Sequence, residues 1–571
     1  MKIKTAPQDI DQEVKNDIDY KTIMGFNKKW PEYTRFIEGI QWPPKTEATK
    51  YMPRPVINIC DQTIENKRSN ILSQQLKMQF RLKEIPVDNE QLLEEVEAIA
   101  QDFTDMAENT WYDIEQDVLL KEQTNDTLSL GTGVVHYYFD PDYVGGTYHK
   151  YIGKMKGEVI DPMDLILGNN QLKPYQFQQQ PWFIIQRRRD FNKTVETAKK
   201  RGQNWERIEP DGTADENEQY DSAKVDSKNS QEVTTRTKYY KKDGEVWWLE
   251  VTENATVVKP TKLSPTEDCK FELYPADMLG FKRRRKCAYY RSFIEDIIPN
   301  QKSLNWGMGM QLLSVQQTAW PKIISKVNAL QQAITNTPGE VLVDHAQGGD
   351  GIKYMQMPNT PPTASILTQT LLDMTRSVVG VTDVSTGEVI GANMAASAII
   401  ALQNQAQKPN DDYMNDVVAS VKRVGEIWEQ FFKCFYTLPR TIKAKDDEGK
   451  DDYKLFDGTK GQGIEFDLMV DVGPSSVYSE SLQVSILDSY ADRQWIDKYQ
   501  HASNMPKNTL SQDLREAFKK EKEMMDEQQE MQEQMPQQMD PNAQVDEILN
   551  RLTPEERAAV EADPSLLDKL V

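Results

Sequence analysis

Between Ser303 and Trp320 the chain carries no charged side chain. A helix of that composition has no ordinary solvated face, so it must be packed on most sides or meet identical neighbours. A membrane span does not fit: Asn305, Gln311, Gln316 and Gln317 make the stretch too polar, and Gly307 and Gly309 interrupt it. No other segment approaches the ~20 apolar residues that a span needs. The opening residues MKIKTAPQDIDQEV hold no apolar run of the secretory type. The chain is therefore expected to be soluble and to stay in the compartment of its synthesis.

The surroundings of this helix are ordered. Pro321 ends it, and β-rich patches follow at KIIS, EVLVD and IKYMQM, with Gly348, Gly349 and Gly351 as turn residues. Pro358, Pro361 and Pro362 close that module. Thr363 is placed to cap a second helix through Val379, which Gly380 stops. A loop with Gly387 and Gly391 leads to Asn393, the expected cap of a long helix. Pro409 is expected to break or kink that helix. Its second half carries the stripe Tyr413, Val417, Val421, Val424, Trp428, Phe431 and Phe435, and Pro439 terminates it.

Upstream, GIQWPP and MPRPVIN form an extended arm, because proline restricts the residue before it. Helices are expected over Ile57 to Gln75 and, possibly broken, from Leu92 to Leu130. Strand chemistry begins at GTGVVHYYFD and returns at Gly157 to Ile160 and Trp182 to Arg187, with the extended-then-turn segment IDPMDLIL between. Arg201 to Val233 reads as a polar loop. TTRTKYYKK and EVWWLEV flank Asp243-Gly244, a strong two-residue hairpin signal. Beyond the long helix, GIEFDLMVDVG reads as strand and SLQVSILDSYADRQWIDKYQ as helix. Glu521 to Pro541 is dominated by Glu, Gln and Met and has little core potential.

Composition narrows the function. A length of 571 residues allows several domains, roughly four as a soft prior. Hydrophobic content of 38% suits a helical assembly subunit with tails better than a compact enzyme. A net charge of -22 argues against tight nucleic-acid binding through broad phosphate neutralisation. It leaves room for a surface along which DNA slides without sticking. Cys60, Cys269, Cys287 and Cys434 are far apart and form no CxxC pair, so isolated reduced thiols are expected. His136, His149, His345 and His501 are scattered, which gives a metal site no support. Asp140 and Asp142 read as a turn, since the calcium-loop pattern is not continued. Trp42, Trp247 and Trp248 read as packing aromatics. No catalytic residue, cofactor or metal ligand can be assigned.

Taken in order, these segments resemble the portal protein of tailed bacteriophages. GIQWPP with MPRPVIN resembles the entry to the portal wing, and GTGVVHYYFD with IDPMDLIL looks like the wing's β portion. FIEDIIPNQKSLNWGMGM is similar to the first stem helix. STGEVIGANMAASAIIALQNQAQ looks like the tunnel loop and the start of the helix behind it. DVGPSSVYSESLQVSIL resembles the segment leading towards the crown. The likeness runs roughly from Tyr20 to Lys520, and the ordered set rather than any one motif carries it.

The resemblance implies an α+β portal fold with wing, stem, clip and helical crown, assembling into a ring around a central channel. It places the N-terminal arm and wing at 1–290, the first stem helix at 291–320 and the clip at 321–362. The second stem helix is then 363–380, the tunnel loop 381–392, the long wing helix and return 393–504, and the crown and tail 505–571. It implies a homo-oligomer, most often a dodecamer, with double-stranded DNA passing through. Its expected partners are the large terminase subunit, which is the motor ATPase, the major capsid protein and head-to-tail adaptor proteins. It implies no membrane, no enzyme activity, a place in the virion, and the host cytoplasm during assembly.

Site expectations follow. Asn305, Met308, Gln311 and Gln316 belong to the stem. Lys322, Lys326, Glu340, Asp344 and Lys353 would form the clip where terminase docks; with Asp350 the segment has three basic and three acidic residues, a balance that suits strand pairing between subunits. Asp383, Ser385, Thr386, Gly387, Glu388, Gly391 and Asn393 would line the tunnel loop near DNA. That loop lacks the Gly-Lys-Ser/Thr ending of a P-loop and should not grip phosphate. The basic runs Arg187 to Arg189 and Lys282 to Lys286 could meet DNA or form a salt-bridged face, with pairing between subunits the favoured role.

Overall fold

The first structural surprise precedes the proline-rich arm. The computed structural model describes residues 3–83, 90–147, 150–211, 231–267, 269–319, 323–325, 352–354, 362–379, 396–445, 451–472 and scattered positions between 484 and 524. Within them, helix α1 spans Pro7–Met24 and α2 spans Phe26–Ile37. Pro at the start of α1 loses no hydrogen bond, and Gly25, at φ 78°, caps its end. Phe26, Trp30, Tyr33 and Phe36 form the buried stripe of α2.

Helix α3 (Ile59–Ile71) is capped by Asn58, whose side chain accepts from the Asp61 N–H. It stops short of Gln75 because strand β1 (Leu76–Leu82) begins there. The alternation of β1 is short, and no element was expected over its residues. The helical stretch expected to Leu130 is broken, as the sequence allowed, into α4 (Glu90–Asp113) and α5 (Gln116–Leu130), with the break at Glu115, φ 54°.

Gly131 then turns the chain into β2 (Thr132–Gly145). Its φ is 94°, and a Cβ there would stand 2.3 Å from the Tyr290 carbonyl oxygen, so no other residue fits. Strand β3 (Tyr151–Ile160) pairs with β2. Next come β4 (Leu165–Leu167), β5 (Trp182–Asp190) and the short helix α6 (Phe191–Lys200). Strands β6 (Glu232–Lys242) and β7 (Glu245–Val251) make the expected hairpin, with Asp243 and Gly244 at φ 56° and 83° as a type I′ turn requires. Strands β8 (Thr256–Lys262) and β9 (Ala276–Gly280) complete two sheets, ordered β4-β5-β6-β7-β8 and β3-β2-β9.

Helix α1 covers the five-stranded sheet. Ile10 and Val14 pack with Ile166, Ile184, Tyr240, Leu249 and Val251. Two ion pairs flank that contact: Arg236 Nη1 to Asp11 at 2.8 Å and the fully buried Lys238 to Glu13 at 2.5 Å.

The charge-free segment lies in α7 (Ile298–Ala319). Strands β10 (Ile323–Ser325) and β11 (Ile352–Tyr354) pair antiparallel, and α8 (Pro362–Val379) follows. Since α8 starts at Pro362, Thr363 lies inside it rather than capping it; proline suits a first helical position, where its missing N–H is not needed. EVLVD and Asn393 fall outside the described residues.

Helix α9 runs from Ala396 to Phe435 without a break at Pro409. Tyr413, Val417, Val421, Val424, Trp428 and Phe431 are buried as the stripe requires, and Phe435 packs against the same core. Strands β12 (Arg440–Lys445) and β13 (Asp451–Phe456) form a ribbon. Strand β14 (Phe466–Val472) returns to pair with β1, and the alternate residues Leu76, Met78, Phe80, Phe466 and Leu468 face the core.

These elements belong to one unit, Met1–Ser475. A second unit, Ser476–Val571, contains the described helix Lys498–Asn504 and a contact of 2.9 Å between His501 Nε2 and Asp488 Oδ1.

One expectation is overturned. Cys269 and Cys434 are joined by a disulfide, while Cys60 and Cys287 are free and buried. Their separation of 165 residues hid the pairing, because only the docking of the β8–β9 connection on α9 brings them together.

Candidate functional site

The chain leaves its body through β9, passes along α7, and returns through α8 and α9. The exit is held by charge. Arg423 on α9 donates from Nε to Asp277 Oδ1 at 2.6 Å and from Nη2 to Oδ2 at 3.0 Å; Ser420 Oγ donates to the same Oδ2 at 2.6 Å. Asp277 sits on β9 and is buried.

The foot of α7 is held by amides. Gln301 Nε2 donates to the Ile57 carbonyl at 2.6 Å and to Asn305 Oδ1 at 3.0 Å. Asn305 Nδ2 donates to Gln41 Oε1 at 2.6 Å, and Gln41 Nε2 bonds Asn58 Oδ1 at 2.9 Å. This buried relay ties the proline-bracketed arm to the helix. Gly309 allows the crossing: a Cβ there would lie 3.0 Å from both Met52 Cε and the Pro53 oxygen. Trp42 packs on Trp306 with ring centroids 5.4 Å apart, above a cavity of about 420 Å³ that Phe36 and Arg35 also line.

Beyond Gly309 the helix leaves the body. Leu304 is 2% exposed, whereas Leu312 is 41% and Val315 61% exposed. Its neighbour α8 exposes Ile366, Leu367 and Met374, the first at 63%. The two helices touch where Gln311 Nε2 donates to Thr368 Oγ1 at 2.8 Å, beside Gly307.

The expected stem residues thus separate. Asn305 is turned into the body, Met308 is half-buried, Gln311 bonds α8, and Gln316 is exposed. On α8, Asp373 accepts from Gln369 Nε2 at 3.0 Å, and the side chain of Arg376 is outside the described residues. So are Lys322, Lys326, Glu340 and Asp344 of the expected clip; Lys353 is described only through its backbone, opposite Ile324. The expected tunnel-loop residues Asp383, Ser385, Thr386, Gly387, Glu388, Gly391 and Asn393 also lie outside the described residues.

Residues of both basic runs find partners within their own chain, the salt-bridged face that the sequence also allowed. Arg187 pairs with Glu158, Arg188 with Glu232 at 3.4 Å and Arg189 with Glu250 at 3.1 Å. Lys282 pairs with Asp296 at 3.3 Å and Arg284 with Glu295 at 3.2 Å. Arg188 meets its partner on the adjoining strand β6, whereas Glu158 lies on β3 of the other sheet and Glu250 on β7, two strands away, positions that separation in sequence conceals. Asp140 and Asp142 lie within β2 rather than in a turn, where its pairing with β3 shifts register; Asp140 pairs with Lys156 at 2.7 Å and accepts from the Asp142 N–H.

Arg187 also borders a buried histidine. His136 Nδ1 lies 2.8 Å from Glu158 Oε1, and Nε2 lies 3.0 Å from the Tyr239 hydroxyl. The arrangement suits Nδ1–H donating to Glu158 while Tyr239 donates to Nε2. Burial pushes the imidazole down to about 4, against the pull of Glu158. Its folded value is below the unfolded one, so protonation favours unfolding. The neutral form is retained at pH 7, and its contribution falls as pH drops through about 6.5 towards 4, by up to ~3 kcal/mol. Urea unfolding of the protein and of His136→Gln should show this difference: the variant's stability should fall less steeply between pH 7 and pH 4.5. Parallel pH profiles would refute it.

Among the described residues, no group of three or more His, Cys, Asp or Glu could hold a metal ion, and no helix is long and apolar enough to cross a membrane. The geometry is that of an α+β protein with an extruded helical hairpin whose first helix carries no charge from Ser303 onward. The chain belongs to the phage P22-like portal protein family, whose model matches residues 170–562. A portal protein from Acyrthosiphon pisum secondary endosymbiont phage 1 is 27% identical over 109 residues, 17% of this chain. That match spans only 15% of the relative's own length. The family is structural rather than enzymatic, and the chain is a phage portal subunit.

Proposed function

We propose that copies of this chain form the ring at the unique capsid vertex, most often a dodecamer, with a central channel for genome packaging and ejection. In this reading 1–290 is the arm and wing, 291–320 and 363–380 are the stem helices, and 321–362 is the clip. The clip docks the large terminase subunit and later the head-to-tail adaptor proteins, while the major capsid protein surrounds the ring. The segment 381–392 is the tunnel loop, 393–504 the long wing helix and return, and 505–571 the crown and tail. The ring would assemble in the host cytoplasm and remain in the virion.

The observation that carries this reading is the exposure of Met310, Leu312, Val315, Ile366, Leu367 and Met374 on two helices that extend past the body. Apolar surface of that extent is normally covered by a partner, and in a portal subunit the neighbouring copies are the natural cover. The lack of charge on the outer part of α7 has the same explanation, because a charge there would be desolvated between subunits. Electron microscopy of the purified full chain should show rings with a central hole, most often twelvefold. Monodisperse monomers at every protein and salt concentration would overturn the assignment.

A further inference from the structure

The disulfide occupies a particular place in the chain path. Cys269 precedes β9, through which the chain leaves the body, and Cys434 lies at the end of α9, through which it returns. The bond therefore closes the covalent loop from which the whole α7–α8 hairpin hangs.

The two cysteines are also brought together by contacts independent of the bond. Gln430, one turn before Cys434, accepts through Oε1 from the N–H groups of Glu272 and Leu273, each at 2.9 Å. Phe271 packs edge-on against Phe431 with centroids 4.9 Å apart. The β8–β9 connection is thus docked on α9 by hydrogen bonds and ring packing, so the thiols of the reduced chain would face each other. Cys434 is fully buried and Cys269 is 9% exposed, so Cys269 is the nearer of the two to solvent. Cys60 and Cys287 are buried and not joined.

We propose that Cys269 and Cys434 form a reversible redox clamp across the base of the hairpin, open in a reducing compartment and closed in an oxidising one. The oxidant is a small-molecule disulfide. The Cys269 thiolate attacks one of its sulfurs and expels one small thiol; the Cys434 thiolate then attacks Cys269 Sγ and expels the second. One S–S bond is broken and one formed, and the two protons of the protein thiols end on the two small thiols. The inference draws on the portal reading only for the change of compartment, from the cell in which the ring is built to the medium outside. In the closed state, a pull on the hairpin that would part β9 from α9 meets a covalent bond as well as the Asp277–Arg423 pair.

The test counts thiols in the full-length protein. It is incubated natively with oxidised or reduced glutathione, then denatured, alkylated and weighed. Two alkylated cysteines are expected after oxidation and four after reduction, with circular dichroism unchanged and the cycle repeatable. Reduction should raise the unfolding equilibrium constant on the order of a thousandfold, as expected for so long a closed loop. Cys269→Ser should be indifferent to either reagent. Gln430→Ala should slow closure by about tenfold through loss of thiol alignment. Four alkylated thiols after oxidation would overturn the clamp. So would a bond that native reduction never opens, or an opening that unfolds the chain. Rings without a closable pair would leave the portal reading standing; a closable pair without rings would sink that reading alone.

Discussion

Asp277→Asn is expected to cost this protein about 3–5 kcal/mol of folding stability. The substitution keeps the shape of the side chain and removes its charge. The guanidinium of Arg423, whose side chain is 20% exposed, would then lie largely buried without its hydrogen-bonded carboxylate, keeping only the weaker pull of Glu426 and Asp416. Ser420 Oγ could still donate to the amide oxygen, so the loss falls on the charge rather than on the smaller hydrogen bond. A urea or guanidinium unfolding curve at pH 7 measures it. Replacing both members together, Asp277→Leu with Arg423→Met, should recover much of the loss, because an apolar pair needs no desolvated charge. A loss below ~1 kcal/mol for Asp277→Asn would show that the pair does not hold β9 to α9.

Leu312→Glu combined with Val315→Glu should act in the opposite way. Both side chains are well exposed on α7 in the single chain. Exposed substitutions of this kind typically change folding stability by no more than ~0.5 kcal/mol. In the ring, each copy would bury unpaired carboxylates against its neighbour, and the penalty of several kcal/mol recurs at every interface. Light scattering should therefore show monomer where the native sequence gives the oligomer, with the same denaturation midpoint once both are diluted to monomer. Intact rings would mean that this face of α7 remains in solvent. A lowered midpoint would mean that α7 packs within its own subunit.

Much of the architecture could be read from the residues because local signals were strong. Asp243-Gly244 specified its hairpin through positive φ, and the α9 stripe from Tyr413 to Phe431 specified a buried face. The family followed from the order of segments, since order survives when individual motifs are weak. What escaped was set by distant contacts. Helix α1 has a weak stripe of its own; its place is decided by Lys238 and Arg236, more than two hundred positions away. Strand β1 was not anticipated because its partner, β14, is so remote. Asn305 was grouped with the stem residues Met308, Gln311 and Gln316, and its bond to Gln41 on the arm could not be read from spacing. No sequence spacing could reveal that Cys269 meets Cys434.

The pairing of β1 with β14 has a consequence for how the protein is made. Leu82 lies opposite Phe466, so β1 leaves the ribosome roughly 390 residues before its partner strand exists. At ~5–20 residues per second that wait lasts about 20–80 s. Throughout it, Leu76, Met78 and Phe80 present the apolar side of an unmatched strand. The nascent chain is thus most exposed to mispairing with other nascent chains before translation finishes, and slower, cooler synthesis at low expression favours a correct product.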